Sequence, residues 1–172
     1  MKCLDVEIAR LFGLFFLESE EMPEIREKIK SLLGPLLDQH QAYLVDVAIR
    51  NERGGKLVQV FLDTDVGVTI ELCAEISRNL ASEIEREHVI ETSYRLEVSS
   101  PGIDKPLKLL RQYHKNIGRR FKVTFERAGS KSTIVGPLIS VVDDMLTFAP
   151  DKGEPLSLRF SEIVESQVEL PW

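Results

Sequence analysis

The sequence has few cysteines, few aromatic residues and no long apolar run. Among its 172 residues are two cysteines, too few for a disulfide framework or a paired-cysteine metal site. No apolar stretch approaches the roughly 20 residues that cross a bilayer. The run from Leu11 to Leu17 follows acidic residues and precedes no small-residue cleavage site, which argues against a secretory signal. We therefore expect a cytoplasmic protein without a membrane partner.

Charged residues are abundant, and the two signs are segregated along the chain. The 22 Lys and Arg are outnumbered by 28 Asp and Glu, which gives a net charge of −6. Between Lys105 and Lys131, however, nine basic residues accompany one acid, so this window carries +8 and the remainder −14. A uniformly acidic chain would argue against a nucleic-acid partner, but a separate basic segment is compatible with one.

Residue periodicity predicts an α+β domain over residues 22–106. Residues 1–21 are set apart as an N-terminal extension, either an adaptable segment or the product of an upstream start codon. The helix predicted from Met22 should be kinked or interrupted at Gly34-Pro35. Two strands around Gly54-Gly55, a helix capped by Thr69 and a third strand complete the order helix, strand, strand, helix, strand. This pattern indicates a three-stranded sheet with helices on one face.

Residues 107–172 read as a second domain made mostly of strands. A helix is expected from Leu107 to Gly118, and five short alternating segments follow from Arg119 onward, separated by turn residues. Five short strands in about fifty residues are typical of a small β-barrel of the SH3 or Sm type.

The two predicted domains meet at an unusual turn formed by Ser99, Ser100, Pro101 and Gly102. Proline fixes one φ angle and glycine supplies a positive φ at the next residue, as a type II turn requires. We expect a semi-rigid interdomain turn. The two serines either satisfy backbone groups at the turn or also contact a partner.

Neither catalysis nor a metal site is predicted. A serine nucleophile would need a base, and the three histidines have no relation to a nucleophile-elbow or triad pattern. Asp63 and Asp65 could be imagined as metal ligands, but such a pair is more typical of a solvated strand end. We therefore predict a protein that is not an enzyme and has no cofactor.

Four segments in order resemble the RimP family of bacterial ribosome maturation factors. They are YLVDV, VFLDTDVGVTIELCAEISRNL, YRLEVSSPGIDKPL and IGRRFKV, and the resemblance extends from about Met22 to Trp172. It implies an α+β domain followed by an Sm/SH3-like barrel. It also implies late assembly of the small ribosomal subunit, by binding rRNA and a ribosomal protein near the decoding region. Lys105 stands where the family usually has arginine, which keeps the charge but loses the bidentate fork.

The basic band is the predicted contact surface for RNA or the ribosome. Its members are Lys105, Lys108, Arg111, Lys115, Arg119, Arg120 and Lys122. Lys108, Arg111 and Lys115 would share one helix face. Tyr113 and His114 lie among these basic residues and could each stack on an unpaired base. For Tyr113, the alternative is packing at a domain junction. The alternative for the band itself is a solvated surface, or pairing with the protein's own acids.

Two other functions remain open at this point. A general Sm-like RNA-binding regulator would assemble into rings, whereas we expect a monomer. A nuclease acting through Asp63 and Asp65 is the enzyme alternative. The absence of nuclease activity in the purified protein would exclude the nuclease alternative.

Overall fold

The computed structural model describes residues 4–102 and 105–169, with side chains from residue 22 onward. Its elements are α1 (Leu4–Gln39), β1 (Ala42–Glu52), β2 (Gly55–Thr64), α2 (Ile70–Arg86), β3 (Tyr94–Ser99), α3 (Arg111–His114), β4 (Arg120–Arg127), β5 (Ser130–Val142), β6 (Met145–Phe148), β7 (Leu156–Arg159), a 3-10 helix (Phe160–Glu162) and β8 (Ile163–Val168). None of the helices within the described range is long and apolar enough to cross a membrane.

The chain divides into two compact units, and each unit is formed by two separate segments of the sequence. The first unit comprises Met1–Leu62 and Val68–Ser100, and the second comprises Asp63–Gly67 and Pro101–Trp172. A five-residue segment from the middle of the first unit's sequence therefore groups with the second unit. The predicted domain limits, 22–106 and 107–172, stay a prediction.

The first unit is built on a three-stranded sheet in the order β1-β2-β3. β2 and β3 run parallel, with Lys56 opposite Tyr94 and Phe61 opposite Ser99. A parallel pair needs a crossover connection, and α2 supplies it. The predicted order of helix, strand, strand, helix, strand is confirmed.

Helix α2 forms where its cap and its apolar spacing predict it. The Thr69 hydroxyl accepts a hydrogen bond from the Leu72 backbone N–H at 3.2 Å, which satisfies one of the free donors of the first turn. Ile76, Leu80 and Ile84 follow at helical spacing and are buried. They share one core with α1 and the sheet, so a single apolar cluster holds the first unit together.

The first helix differs from the prediction in its extent. It begins at Leu4 and continues through Pro23 and Pro35 without interruption. The expected interruption at Gly34-Pro35 is therefore wrong. Proline removes one backbone donor, but its fixed φ of about −65° is itself helical, so the chain can remain helical on both sides. Ile29 and Leu33, between the two prolines, are fully buried and tie this stretch to the core.

The second unit contains a five-stranded antiparallel sheet in the order β7-β6-β5-β4-β8. All five predicted strands are confirmed. β4 pairs with β5 on one side and with β8 on the other. The core centres on aromatic rings: Phe121 stacks on Tyr113 and meets the edge of Phe148, with centroid separations of 5.8 and 5.9 Å. This core supports the basic residues at the start of β4.

Candidate nucleic-acid interface

The basic residues near α3 are held in place by a buried glutamine. Gln112 is 4% exposed, and its side-chain oxygen accepts hydrogen bonds from the backbone N–H groups of Lys108 and Leu109 at 2.9 and 3.0 Å. α3 itself is only four residues long. The prediction that Lys108, Arg111 and Lys115 share one helix face is therefore wrong, because two of them lie outside the helix. The Gln112 side chain satisfies two backbone N–H groups just before α3 begins.

Arg111 forms a two-pronged ion pair with Asp65. Its Nε and Nη2 atoms each donate to one carboxylate oxygen of Asp65 at 2.7 Å. Both side chains remain about half exposed. The hydrogen bond from Arg111 holds the pKa of the Asp65 carboxyl below its usual value, so Asp65 stays ionised at neutral pH.

Lys115 is paired with a second acid of the same segment, in a more buried setting. Its ammonium donates to Asp63 Oδ1 and to the Thr64 carbonyl, the latter at 2.9 Å. Asp63 is 6% exposed, and it also accepts from the Thr64 backbone N–H and from the Gln112 amide. The interpretation of Asp63 as a solvated strand end is therefore wrong. It is a buried carboxylate whose charge is matched by a cation, as burial requires.

Arg120 is the third member of the band to pair with an acid. Two of its nitrogens donate to the two carboxylate oxygens of Asp151, at 2.8 and 2.5 Å. These hydrogen bonds lower the pKa of Asp151 and raise that of Arg120. The alternative that basic residues pair with the protein's own acids thus applies to Arg111, Lys115 and Arg120. None of these pairings rules out a competing anionic partner.

Arg119 and Lys122 keep exposed cationic side chains. Within the described ranges, neither forms an ion pair or a side-chain hydrogen bond. Lys122 lies on the outer face of β4, opposite Val135 and Gln167. Lys105 and Lys108 are also exposed. Arg119 and Lys122 are the members of the predicted band whose side chains are both exposed and unpaired within the described ranges.

Tyr113 belongs to the core of the second unit. It is 0% exposed, stacks on Phe121, and its hydroxyl is hydrogen-bonded to Ser166. Burial raises the pKa of this phenol. The proposal that Tyr113 stacks on an unpaired base is therefore wrong, because the ring offers no free face. His114 is exposed.

In the predicted turn, Gly102 has the positive φ angle that the sequence predicts. Gly102 has a φ of +83°, in the region that side-chain-bearing residues avoid. Ser99 and Ser100 are exposed, and their hydroxyls have no hydrogen-bond partner in the part of the chain that the structure describes. The prediction that these hydroxyls satisfy backbone groups finds no support there, which leaves contact with a partner open.

The sequence of the first unit matches a known family model. Residues 32–104 match the RimP N-terminal domain, from the last two turns of α1 through β3 and past Gly102. Over these residues, less than half of the chain, the sequence is similar to the RimP family. The resemblance to this family is confirmed by motifs that lie wholly or partly within the matched residues, whereas IGRRFKV lies beyond them.

Sequence reasoning missed the acids that pair with the basic residues of the second unit. Asp65, Asp63 and Asp151 lie 46, 52 and 31 residues from Arg111, Lys115 and Arg120. Sequence reasoning also missed the pairing of Arg127 with Glu162, which lies 35 residues away in the second unit. No local pattern reports such pairs. The nearest signal is the DTD run at Asp63–Asp65, two acids directly after an apolar strand.

Proposed function

We propose that the protein is a non-catalytic factor for late assembly of the small ribosomal subunit, binding rRNA and a ribosomal protein near the decoding region of an immature subunit. The match of residues 32–104 to the RimP N-terminal domain carries this proposal. Binding would favour rRNA conformations that are competent for later steps, without making or breaking a bond. We further propose that the protein acts in the cytoplasm as a monomer and without a cofactor.

The rRNA would be contacted by the exposed cations of the second unit. Arg119 and Lys122 support this assignment most directly, because no carboxylate in the described ranges neutralises them. Cations that neutralise phosphates release counterions, so the affinity should fall steeply as salt is added. Such contacts position the protein on RNA without reading its sequence.

The ribosomal protein would be attracted by the acidic first unit. This unit contains 17 Asp and Glu against 11 Lys and Arg, whereas the second unit contains 11 of each. On the exposed face of α2, Glu71 and Glu85 form no ion pair within the described part of the chain. Ribosomal proteins are mostly basic, so complementary charge favours encounter with one of them and disfavours bare RNA at this unit.

We also propose that the sheet of the second unit curls into an SH3- or Sm-like barrel. β7 and β8 are the two edge strands of this sheet, yet only the three-residue 3-10 helix separates them in sequence. A short connection between opposite edges favours a curved sheet over a flat one. The register of β5 against β6 shifts between Leu138 and Ser140, and such irregularities bend strands.

Co-sedimentation with mature and immature small ribosomal subunits across a salt series tests the proposal. We expect preferential binding to immature subunits that weakens steeply with salt. Absence of binding at low salt would exclude the proposed function.

A double substitution tests which cations contact the rRNA. Arg119→Gln with Lys122→Gln should reduce the slope of log affinity against log salt by about 0.7–0.9 for each lost phosphate contact. Arg53→Gln is the control, because it removes an exposed cation from the β1–β2 turn of the first unit. Equal effects of the control and the double variant would exclude a local contact at β4.

A further inference from the structure

The Arg111–Asp65 pair has the geometry in which arginine binds phosphate. The guanidinium presents Nε and Nη2 side by side to two oxygens at 2.7 Å. Carboxylates and phosphates are both held in this bidentate manner, so the Asp65 carboxylate stands where two phosphate oxygens would bind. Lys115 adds positive charge nearby, since it contributes to the lowered pKa of Asp65.

The two acids of the segment Asp63–Gly67 differ in how firmly they are held. Asp63 is buried and bonded to Lys115, Gln112 and the Thr64 backbone, so its role is structural. The Asp65 side chain is 59% exposed, and Arg111 is 49% exposed. Exposed ion pairs contribute little to stability, so a competing anion can replace Asp65 without disturbing the fold.

We propose that Arg111 is a phosphate-binding position for the RNA backbone and that Asp65 is its built-in competitor. This inference rests on the proposed function and extends it. An incoming phosphate displaces the Asp65 side chain, while Asp63 keeps Lys115 and the segment in place. When RNA leaves, Asp65 returns to Arg111. The competition lowers the affinity for RNA and thereby favours its release.

The test compares Asp65→Asn with Asp143→Asn in binding to small-subunit rRNA transcribed in vitro. Both substitutions remove one negative charge and preserve side-chain size. Asp143 is exposed, forms no ion pair in the described ranges, and has a φ of +50°, which asparagine adopts readily. Asp65→Asn should tighten binding about two- to fivefold, the factor that corresponds to the strength of an exposed ion pair. Asp143→Asn should change it much less.

A third and a fourth variant locate the effect. Arg111→Gln in the Asp65→Asn background should abolish the gain, because the guanidinium that binds the phosphate is then absent. Asp65→Ser should reproduce the gain with a different side chain. Unchanged melting temperatures exclude altered folding as the cause. Equal affinities of Asp65→Asn and Asp143→Asn would overturn the proposal.

A second probe separates this inference from the proposed function. Retention of the same variants on phosphocellulose measures phosphate binding without any ribosomal component. If rRNA does not bind the unmodified protein but Asp65→Asn is retained to higher salt than Asp143→Asn, the proposed function fails and the competitor role stands. If rRNA binds and both variants elute together, the function stands and the competitor role is overturned.

Discussion

Tyr113 and Ser166 share a hydrogen bond between their hydroxyls inside the second unit, where both residues are 0% exposed. The two residues lie 53 positions apart, so the bond joins α3 to β8. The Leu107 backbone N–H donates to the Ser166 carbonyl at 2.9 Å and fastens the preceding segment to the same strand. The predicted contact surface therefore rests on a buried polar link as well as on apolar packing.

Ser166→Ala should destabilise the protein by about 1–3 kcal/mol, because the Tyr113 hydroxyl would then be buried without a partner. Urea unfolding followed by fluorescence or circular dichroism measures the loss. Adding Tyr113→Phe should recover most of it, since the double variant leaves no orphaned phenol. Additive losses in the double variant would mean that the hydroxyls act independently.

Gly55→Ala should destabilise the first unit by about 1–3 kcal/mol, because a Cβ at this position would overlap the Ser93 carbonyl oxygen. That oxygen also accepts the Lys56 backbone N–H at 2.9 Å, so it is not free to move. Thermal unfolding measures the effect. Gly34→Ala is the matched control: it lies inside α1 with open space around it, and alanine should stabilise that helix by about 0.5–1 kcal/mol. Similar melting temperatures for the two variants would contradict the predicted overlap.

Ala128→Asn should stabilise the hairpin between β4 and β5. Ala128 and Gly129 have φ values of +52° and +76°, and Arg127 pairs directly with Ser130. A two-residue turn with both φ values positive is the type that prefers Asn-Gly. We expect a gain of about 0.5–1 kcal/mol, measured by thermal unfolding, since alanine is strained in this region. Ala128→Val should instead lower stability, and a gain from valine would contradict the strain argument.

The ionisation of Glu162 should make the free energy of unfolding depend on pH at acidic pH. Hydrogen bonds from Arg127 and from the Arg159 backbone lower the pKa of Glu162 from 4.5 to about 2. Because the folded-state pKa lies below the unfolded one, the stabilising effect is fully present above pH 4.5 and is lost as the pH falls towards 2. Glu162→Gln should therefore be less stable than the unmodified protein at pH 7, with a difference that shrinks between pH 4.5 and 2. A difference that stays constant over this range would contradict the assignment.

The strands and α2 were predictable because their signals are local. Alternating side chains marked the strands, and Thr69 marked the start of α2. The length of α3 was not predictable, because no local sequence pattern indicates that the Gln112 side chain accepts from the backbone N–H groups of Lys108 and Leu109 ahead of the helix. The long helix α1 was missed for a related reason: proline lowers helix propensity, and tertiary burial overrode it.

The location of the predicted interface on the sequence stays a prediction, and the account of its electrostatics was incomplete. Counting charges along the chain treated Arg111, Lys115 and Arg120 as available. Folding brings each of them to an acid at least 31 residues away, and sequence spacing contains no information about such pairs. Arg119 and Lys122 keep the properties that the charge count implied.

The position of β8 in the sheet has a consequence for synthesis of the chain. β4 can pair with β5 as soon as β5 has left the ribosomal tunnel, but the other edge of β4 remains unpaired until β8 follows. Until β8 emerges, β4 exposes unpaired backbone groups, and the core residues Tyr113 and Phe121 lack the cover of the last strand. We therefore expect the nascent second unit to remain open and vulnerable to association or proteolysis until β8 has emerged from the tunnel.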